Sequence, residues 1–324
     1  MAPASPASEV QVRIADLMGL ETAARGLGFF SRQPVRSILA GQHGSRLRGR
    51  GLDFEELRRY LPGDDLRQLD WRTSQRLGKP YVRTYSEERD RPVMVVVDQR
   101  MGMYFGSVRS FKSVVAARIA GLSAWMAFQA GDRVGGLVFG DGGVDSVRPL
   151  RSRERVQSLF AAIARRNQSL SADQPDVDAS GRLNQALQSA IAHAPHDWLI
   201  CVISDFAGAD ADTLRLLRSL SAHNDVIATL VYDPLALSVP VHGRLVVTQG
   251  ELQVELPASR RQVRQPLSDF FSRRLREVAQ LLRRSRVPLL SIDTAGDTVA
   301  QLRRELGREA SGSRTRTPGA GSAA

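Results

Sequence analysis

The feature that most constrains the fold is an alternation of apolar strands and amphipathic helices that begins at Arg91. Val93 to Val97 is a valine-rich run, typical of parallel strands that are buried on both faces of a sheet. Further strands are predicted at 133–139, 144–149, 198–203, 226–231 and 288–292, with helices at 107–129, 153–164, 183–193, 209–222, 266–286 and 298–308. This order predicts an open, doubly wound α/β sheet, mostly parallel, with right-handed crossovers and helices on both faces.

The segments before and after this alternation differ from it in composition and give the predicted domain boundaries. Residues 1–9 are rich in Pro, Ala and Ser and predict a disordered tail, as do residues 310–324. Residues 10–27 show apolar positions at helical spacing and predict one amphipathic helix. We therefore expect an N-terminal helix and irregular segment over residues 10–90 and the sheet domain over residues 91–309. A hairpin at 244–256 is expected at a sheet edge.

A second unusual stretch, residues 41–98, is dense in basic, acidic and turn-forming residues. Pro62 and Gly63 predict a turn, and Asp64 or Asp65 is the residue type that caps a helix start. A short helical turn is expected over residues 64–71, with the Trp71 side chain clamping the segment onto a core. Residues 81–85 predict a short strand.

Composition excludes several classes of protein. No apolar run approaches the roughly 18 residues that a membrane span needs, and the start of the chain lacks the pattern of a secretory signal. The single cysteine, Cys201, lies in an apolar run, which favours a buried thiol, and no internal disulfide can form. A cytoplasmic location is the default expectation.

The formal charge of +11 comes from arginine, because only Lys79 and Lys112 are lysines. The arginines are spread along the chain instead of forming one stripe, which disfavours nucleic-acid binding. Anionic protein partners and peripheral contact with an anionic membrane surface stay open.

Two predicted strands end in an acid, Asp98 after VVV and Asp205 after VIS. Ligands of open α/β sheets bind beyond the carboxyl ends of the strands, and divalent cations prefer oxygen ligands. The pair therefore indicates a metal site, although an Asp that only caps the following turn gives the same pattern.

The segment before the first long strand carries a family signature. It resembles the bacterial family called domain of unknown function 58. The matching residues are Gly49-Arg50-Gly51, Phe54-Glu55, Arg59-Tyr60, Pro62-Gly63-Asp64-Asp65, Arg67, Asp70-Trp71 and Glu88-Arg89. The resemblance covers residues from about 41 to 147.

The resemblance implies a von Willebrand factor A-like domain that starts near Arg91. It also implies a frequent partner, an AAA-type ATPase of the MoxR class, with which such proteins act as chaperone-like adaptors that assemble or activate other complexes. The signature residues are the expected partner-binding positions: Gly49, Gly51, Tyr60, Asp64, Asp65, Arg67, Asp70 and Trp71.

The metal site departs from the pattern of von Willebrand A-like domains, which use Asp-x-Ser-x-Ser after the first strand. Here the run is Asp98-Gln99-Arg100-Met101-Gly102, so Arg100 and Gly102 replace both serines. A permanent positive charge at this place opposes a divalent cation. We expect a degenerate site in which Mg²⁺ is disfavoured and the Arg100 guanidinium replaces it, bridging Asp98 and Asp205.

Two functions are consistent with these patterns. The first is a non-enzymatic interaction module that serves an unidentified client together with the ATPase. The second is a divalent-metal-dependent hydrolase that uses Asp98, Asp205 and the acidic cluster at 64–70. The first is favoured because the chain lacks a nucleophile elbow, a phosphate-binding loop and a His-Glu-x-x-His pattern.

Overall fold

In a computed structural model of the chain, the described residues are 7–28, 52–87 apart from 63, 66 and 68, 91–172, 181–237, 244–249, 252–257 and 261–312. The strands are β1 (Leu52–Arg59), β2 (Tyr81–Glu87), β3 (Pro92–Asp98), β4 (Arg133–Gly140), β5 (Gly143–Leu150), β6 (Leu199–Ser204), β7 (Asp225–Tyr232), β8 (Arg244–Gln249), β9 (Leu252–Pro257) and β10 (Leu289–Asp293). The helices are α1 (Ala7–Val10), α2 (Ile14–Met18), α3 (Glu21–Ala24), α4 (Trp71–Leu77), α5 (Lys112–Gln129), α6 (Arg153–Gln168), α7 (Arg182–His193), α8 (Ala211–His223), α9 (Arg261–Ser285) and α10 (Thr298–Gly312). Residues Met1–Arg32 with Arg91–Ala324 form one compact unit, and Gln33–Asp90 form another.

The larger unit, called the sheet unit below, is built on a six-stranded sheet in the order β10-β7-β6-β3-β4-β5. All neighbouring strands are parallel except β5, which pairs antiparallel with β4 through a tight hairpin. The predicted open, mostly parallel α/β sheet is confirmed. Its parallel strands end at one edge, which is where a ligand site is expected.

The central strand β3 contributes side chains to two apolar cores, one on each face of the sheet. Val93, Val95 and Val97 pack with α5, α6 and the N-terminal helices, whereas Met94 and Val96 pack with α7 and α8. Successive side chains of a strand point to opposite faces. This explains why β3 is apolar at almost every position and why helices cover both faces, as predicted.

The N-terminal region differs from the single helix predicted over residues 10–27. It forms the three short helices α1, α2 and α3, and Arg13 between the first two has an extended backbone. The backbone N–H of Val12 donates to Asn167 Oδ1 at 2.7 Å, and Gln168 Nε2 donates to the Val12 carbonyl at 3.0 Å. These two bonds to side chains of α6 take the place of backbone hydrogen bonds within a helix, so the helix predicted over residues 10–27 is interrupted at Val12 and Arg13.

These helices belong to the sheet unit, whereas the sequence grouped residues 10–90 together. Leu17 and Ala24 are fully buried in the core beside α5, and Trp125 Nε1 donates to the Leu17 carbonyl at 3.0 Å. Of the tails predicted as disordered, residues 7–9 are helical and residues 310–312 end α10. The remaining tail residues lie outside the described part of the chain.

The smaller unit, called the hairpin unit below, is an antiparallel pair of β1 and β2 with α4 inserted between the strands. Strand β2 confirms the predicted strand at 81–85. Strand β1 was not predicted, because a bulge between Phe54 and Glu56 breaks the alternation of its side chains. Residues 41–51 lie outside the described residues.

The predicted clamp of the hairpin unit was wrong, whereas the predicted cap is found at Asp65, whose Oδ1 accepts from the N–H of Arg67 in a 3₁₀ turn at 3.0 Å. Helix α4 begins at Trp71, and Asp70 is its cap, accepting a hydrogen bond from the Thr73 N–H at 2.8 Å. Asp64 instead closes the preceding turn by accepting from the Leu61 N–H at 2.8 Å. The Trp71 side chain does not clamp the segment, because the residue is 68% exposed.

Two helix starts and the placement of one hairpin also differ from the sequence-based expectation. Helix α5 starts at Lys112 instead of 107, because the Ser107 N–H donates to Asp233 Oδ2 at 2.8 Å and the Ser110 N–H to the Thr294 carbonyl at 3.1 Å. Helix α9 starts before Pro266. Strands β8 and β9 pair with each other as a separate two-stranded sheet, and neither is an edge strand of the six-stranded one.

Within the described ranges, we find no helix that combines the length and the apolar character required to cross a bilayer.

Candidate functional site

The strand-end acids come together at the carboxyl edge of the sheet. Asp98 is the last residue of β3, and Asp205 follows β6 directly. Because β3 and β6 are adjacent and parallel, both acids lie at the same edge. Asp98 is fully buried, and the Asp205 side chain is 10% exposed. A buried carboxylate needs a cation or several hydrogen-bond donors nearby.

Arg100 supplies that cation. Its Nε lies 3.0 and 3.1 Å from the two carboxylate oxygens of Asp98, and its Nη2 lies 2.7 Å from Asp98 Oδ2. The same Nη2 lies 3.5 Å from Asp205 Oδ1, and Nη1 donates to the Ala207 carbonyl at 3.0 Å. The guanidinium thus bridges the two acids, which is the arrangement expected from the sequence. Its side chain is only 7% exposed.

Lys112, the first residue of α5, supplies a second cation. Its Nζ lies 2.5 Å from Asp205 Oδ2. Burial alone would raise the pKa of Asp205, but Lys112, Arg100 and the Ala207 N–H overcome this and lower it. Desolvation would likewise lower the pKa of Arg100, but the charges of Asp98, Asp205 and Asp141 raise it. Both groups are therefore held in their charged forms.

The remaining acceptor capacity of Asp98 is used by neighbours from the chain. Ser204 Oγ donates to Asp98 Oδ2 at 2.6 Å, and the Arg100 N–H donates to Oδ1 at 3.0 Å. The Phe206 N–H in turn donates to Ser204 Oγ at 2.8 Å, which fixes the hydroxyl. The Arg100 guanidinium also lies over the Phe139 ring, 5.5 Å from its centroid.

A third carboxylate, Asp141, acts on the same guanidinium at longer range. It lies in the turn between β4 and β5, and its Oδ2 accepts from the Met101 N–H at 2.8 Å. Its Oδ1 is buried and accepts no hydrogen bond from the described residues. Three carboxylates and two cations therefore share this edge.

Two further polar clusters hold the loops around this edge. Asn167 Nδ2 donates to Gln99 Oε1 at 3.0 Å, and Gln99 Nε2 donates to the Ser113 carbonyl at 2.9 Å. Asp233, directly after β7, accepts from Ser107 Oγ and, at 2.6 Å, from Thr294 Oγ1. These clusters fix the loops that follow β3 and β10.

Sequence reasoning missed Asp233, Lys112, Ser204 and Asp141. Asp233 follows the strand VIATLVY just as Asp98 and Asp205 follow their strands, so the same rule could have found it. Ser204 precedes Asp205 directly. Lys112 carried no signal, because the position of a helix start relative to a strand end is set by tertiary packing.

The residues present do not fit Mg²⁺. The guanidinium of Arg100 lies between the carboxylates that would bind the ion, and an arginine cannot release its proton in a protein. Gly102 offers no side-chain oxygen and is itself exposed within the 3₁₀ turn Met101–Met103. The arrangement holds three loops together electrostatically, through Arg100 between Asp98 and Asp205 and through the bond from the Met101 N–H to Asp141.

The signature residues that the structure describes lie in the hairpin unit. Asp64 binds Arg58 through two hydrogen bonds of 2.9 and 2.7 Å. Asp65 accepts from the Arg67 N–H at 3.0 Å. The Tyr60 N–H donates to the Pro80 carbonyl at 3.0 Å. Gly49 and Gly51 lie outside the described residues, and partner binding by all these positions stays a prediction.

The family model described as "Protein of unknown function DUF58" matches residues 56–283, which is most of the chain. The chain belongs to the DUF58 family. This DUF58 chain is 28% identical over 287 residues to Uncharacterized protein Mb1516 of Mycobacterium bovis and to Uncharacterized protein Rv1480 of Mycobacterium tuberculosis, covering 87% of each chain. Among solved structures it is similar to BatB from Bacteroides thetaiotaomicron, with a TM-score of 0.41 and 13% identity, covering 68% of this chain and 99% of that one.

Proposed function

We propose that this DUF58 chain is a non-enzymatic interaction module with a von Willebrand A-like sheet domain. In this proposal it acts in the cytoplasm with an AAA-type ATPase of the MoxR class, as an adaptor that assembles or activates other protein complexes. The carrying observation is the Arg100 guanidinium between Asp98 and Asp205. The ATPase partner is supported by the signature residues of the DUF58 family.

The chemistry of the strand-end edge supports an adaptor over a hydrolase. A hydrolase needs a carboxylate that is free to bind a metal ion or to accept a proton. Both oxygens of Asp98 already accept hydrogen bonds from Arg100, and Oδ2 also accepts from Ser204. Asp205 is held by Lys112 and Arg100. An edge filled by its own cations keeps its shape independently of any metal ion.

The proposal is tested with the purified chain and a purified MoxR-class ATPase from the same organism. Complex formation is measured by biolayer interferometry with no nucleotide, with Mg²⁺-ADP and with a non-hydrolysable ATP analogue plus Mg²⁺. We expect saturable binding in at least one nucleotide state, together with a changed rate of ATP hydrolysis.

Two outcomes contradict the proposal. One is the absence of a complex in every nucleotide state. The other is a metal-dependent hydrolytic activity of the chain alone that is lost in Asp205→Asn, a variant that leaves the Asp98–Arg100 pair in place. We expect no metal-dependent hydrolysis by the wild type or by a folded Asp205→Asn variant.

A further inference from the structure

We propose that helix α4 and the turn after it form a docking surface for an acidic segment of a partner protein that also carries apolar side chains. We call Trp71, Arg72, Arg76, Leu77 and Lys79 the α4 surface. This inference deepens the proposed adaptor function. It rests on that function only where the partner is taken to be the ATPase or its client.

Within the described part of the hairpin unit, helix α4 contacts β2, but none of its seven residues is buried. Trp71 is 68% exposed and Leu77 is 51% exposed. Helices this short are marginal in water unless they bury an apolar face against another element, and Trp is a residue type that is enriched at the centres of protein interfaces. The helix therefore has the character of an element that packs against another molecule.

The α4 surface is also held in place before any partner binds. Asp70 caps the helix, and the Asp70 N–H donates to the Tyr81 carbonyl at 2.8 Å. Ser74 Oγ accepts from the Tyr81 N–H at 2.8 Å. Leu69 forms a bridge to Val82, which is buried. Since the start and the middle of the helix are tied to β2, binding orders little additional backbone, which favours affinity.

The charge of this surface selects the partner. Residues 71–80 contain three cations, Arg72, Arg76 and Lys79, and no acid. Arg72 and Arg76 are four residues apart on the helix, a spacing at which like charges repel. In the preceding turn, Asp64 is bound to Arg58, and Asp70 caps the helix. An acidic partner segment relieves the repulsion, and Trp and Arg are the residue types that contribute most to protein interfaces.

The shape of the surface favours a protein over a membrane. Helix α4 is only about 10 Å long, at roughly 1.5 Å per residue. Trp71 and Leu77 are six residues apart, which places them about 120° apart around the helix axis. A helix that lies in a membrane surface needs one continuous apolar face. Two separate apolar anchors with cations beside them fit a polypeptide segment that crosses the helix.

The test uses a phage-displayed library of random 12-residue peptides selected against the full-length chain. We expect selected peptides rich in Asp and Glu with aromatic or aliphatic residues between them. Synthetic copies should bind the wild type and lose at least about tenfold in affinity with Trp71→Ala and with Arg76→Glu. Arg273→Glu, the same charge change on the exposed face of α9, is the matched control and should bind as the wild type does.

Two results overturn the inference. The first is a selection without acidic peptides, or acidic peptides whose affinity is unchanged in both α4 variants. The second is co-sedimentation with vesicles of phosphatidylcholine and phosphatidylglycerol that is lost in Arg76→Glu, which would assign the surface to a membrane. Because the substituted side chains are exposed, circular dichroism should show an unchanged fold.

The purified ATPase separates this inference from the proposed function. If the ATPase binds and the α4 variants bind it equally well, the adaptor function stands and the α4 surface is not its contact. If the ATPase fails to bind while acidic peptides bind the α4 surface, the surface stands and the ATPase partnership fails.

Discussion

At the scale of single residues, the geometry of Arg100 matters as much as its charge. A guanidinium reaches both Asp98 oxygens, Asp205 and the Ala207 carbonyl at once. A lysine ammonium is a point charge with three donors on a flexible stem and cannot reproduce this fork. The residue type therefore fixes the loops after β3 and β6 in one arrangement.

Arg100→Lys tests this distinction. The lysine keeps the positive charge but lacks the planar set of guanidinium donors. We therefore expect the substitution to lower the free energy of unfolding by about 1–3 kcal/mol, which is less than the loss expected for a neutral substitution. Urea unfolding followed by circular dichroism measures the difference. A variant as stable as the wild type would show that charge alone is sufficient at this position.

Cys201 provides a second prediction at this scale. It lies in β6, and burial raises the pKa of its thiol to about 12. Since the thiolate is the reactive form, the native protein should not react with a thiol reagent at pH 8. The unfolded protein should react with one equivalent. Rapid reaction of the native protein would mean that β6 opens readily.

Residue patterns predicted the centre of the site but not its surroundings. Asp98, Arg100 and Asp205 could be placed together because adjacent parallel strands end at one edge. Asp141 follows β4 directly, so the same rule could have found it. Lys112 could not be placed, because the position of a helix start at this edge depends on packing that no local pattern encodes.

At the scale of elements, the N-terminal helices are fixed to the sheet unit by a charged contact. Glu9 in α1 accepts hydrogen bonds from Ser110 Oγ and from Arg118 Nη1, the latter at 3.0 Å. Burial alone would raise the pKa of Glu9, but Arg118, Ser110 and Arg109 lower it. A carboxylate with a lowered pKa stabilises the fold at neutral pH, and this contribution is lost as the pH falls through the lowered value.

Glu9→Gln should therefore destabilise the protein by about 1–2 kcal/mol at pH 7. The difference from the wild type should shrink as the pH falls through the lowered pKa of Glu9, because the wild-type carboxyl is then protonated as well. Thermal unfolding of both proteins at several pH values measures this difference in stability. Asp212→Asn, which removes an exposed ion pair with Arg215, is the control and should change stability little. A difference that is constant with pH would contradict the account.

The broken N-terminal helix shows why element boundaries escaped prediction. The apolar spacing of residues 10–27 is correct for a helix, and Leu17 does face the core. The interruption comes from Asn167 and Gln168, more than 150 residues away, which bind the backbone of Val12. Long-range hydrogen bonds of this kind override local propensity.

At the scale of the whole molecule, the chain combines two units of unequal character. The sheet unit buries two large apolar cores, and its long apolar strands made its architecture predictable. In the described part of the hairpin unit, Asp70 and Val82 are the buried residues, while Leu61, Trp71 and Leu77 are exposed. Its short, polar elements carry little periodicity, so β1 and α4 were missed.

This division predicts opposite results for two deletions. Replacing residues 33–90 by a flexible linker of about 20 Gly and Ser residues should leave cooperative thermal unfolding of the sheet unit. Removing residues 1–28 should destabilise it strongly, because Leu17 and Ala24 leave the core. Calorimetry of both variants measures this, and the reverse order of stabilities would contradict the assignment of the N-terminal helices to the sheet unit.

Thermal unfolding of the wild type and of Arg100→Ser, in EDTA and in Mg²⁺, tests most directly whether Arg100 takes the place of a metal ion. The substitution leaves Asp98 without its cation, which costs about 3–5 kcal/mol. We expect the wild type to have equal melting temperatures in both solutions. We expect Arg100→Ser to melt at a much lower temperature in EDTA and to be partly restored by Mg²⁺. Saturable stabilisation of the wild type by Mg²⁺, or an Arg100→Ser variant as stable as the wild type in EDTA, would show that the guanidinium does not replace a metal ion.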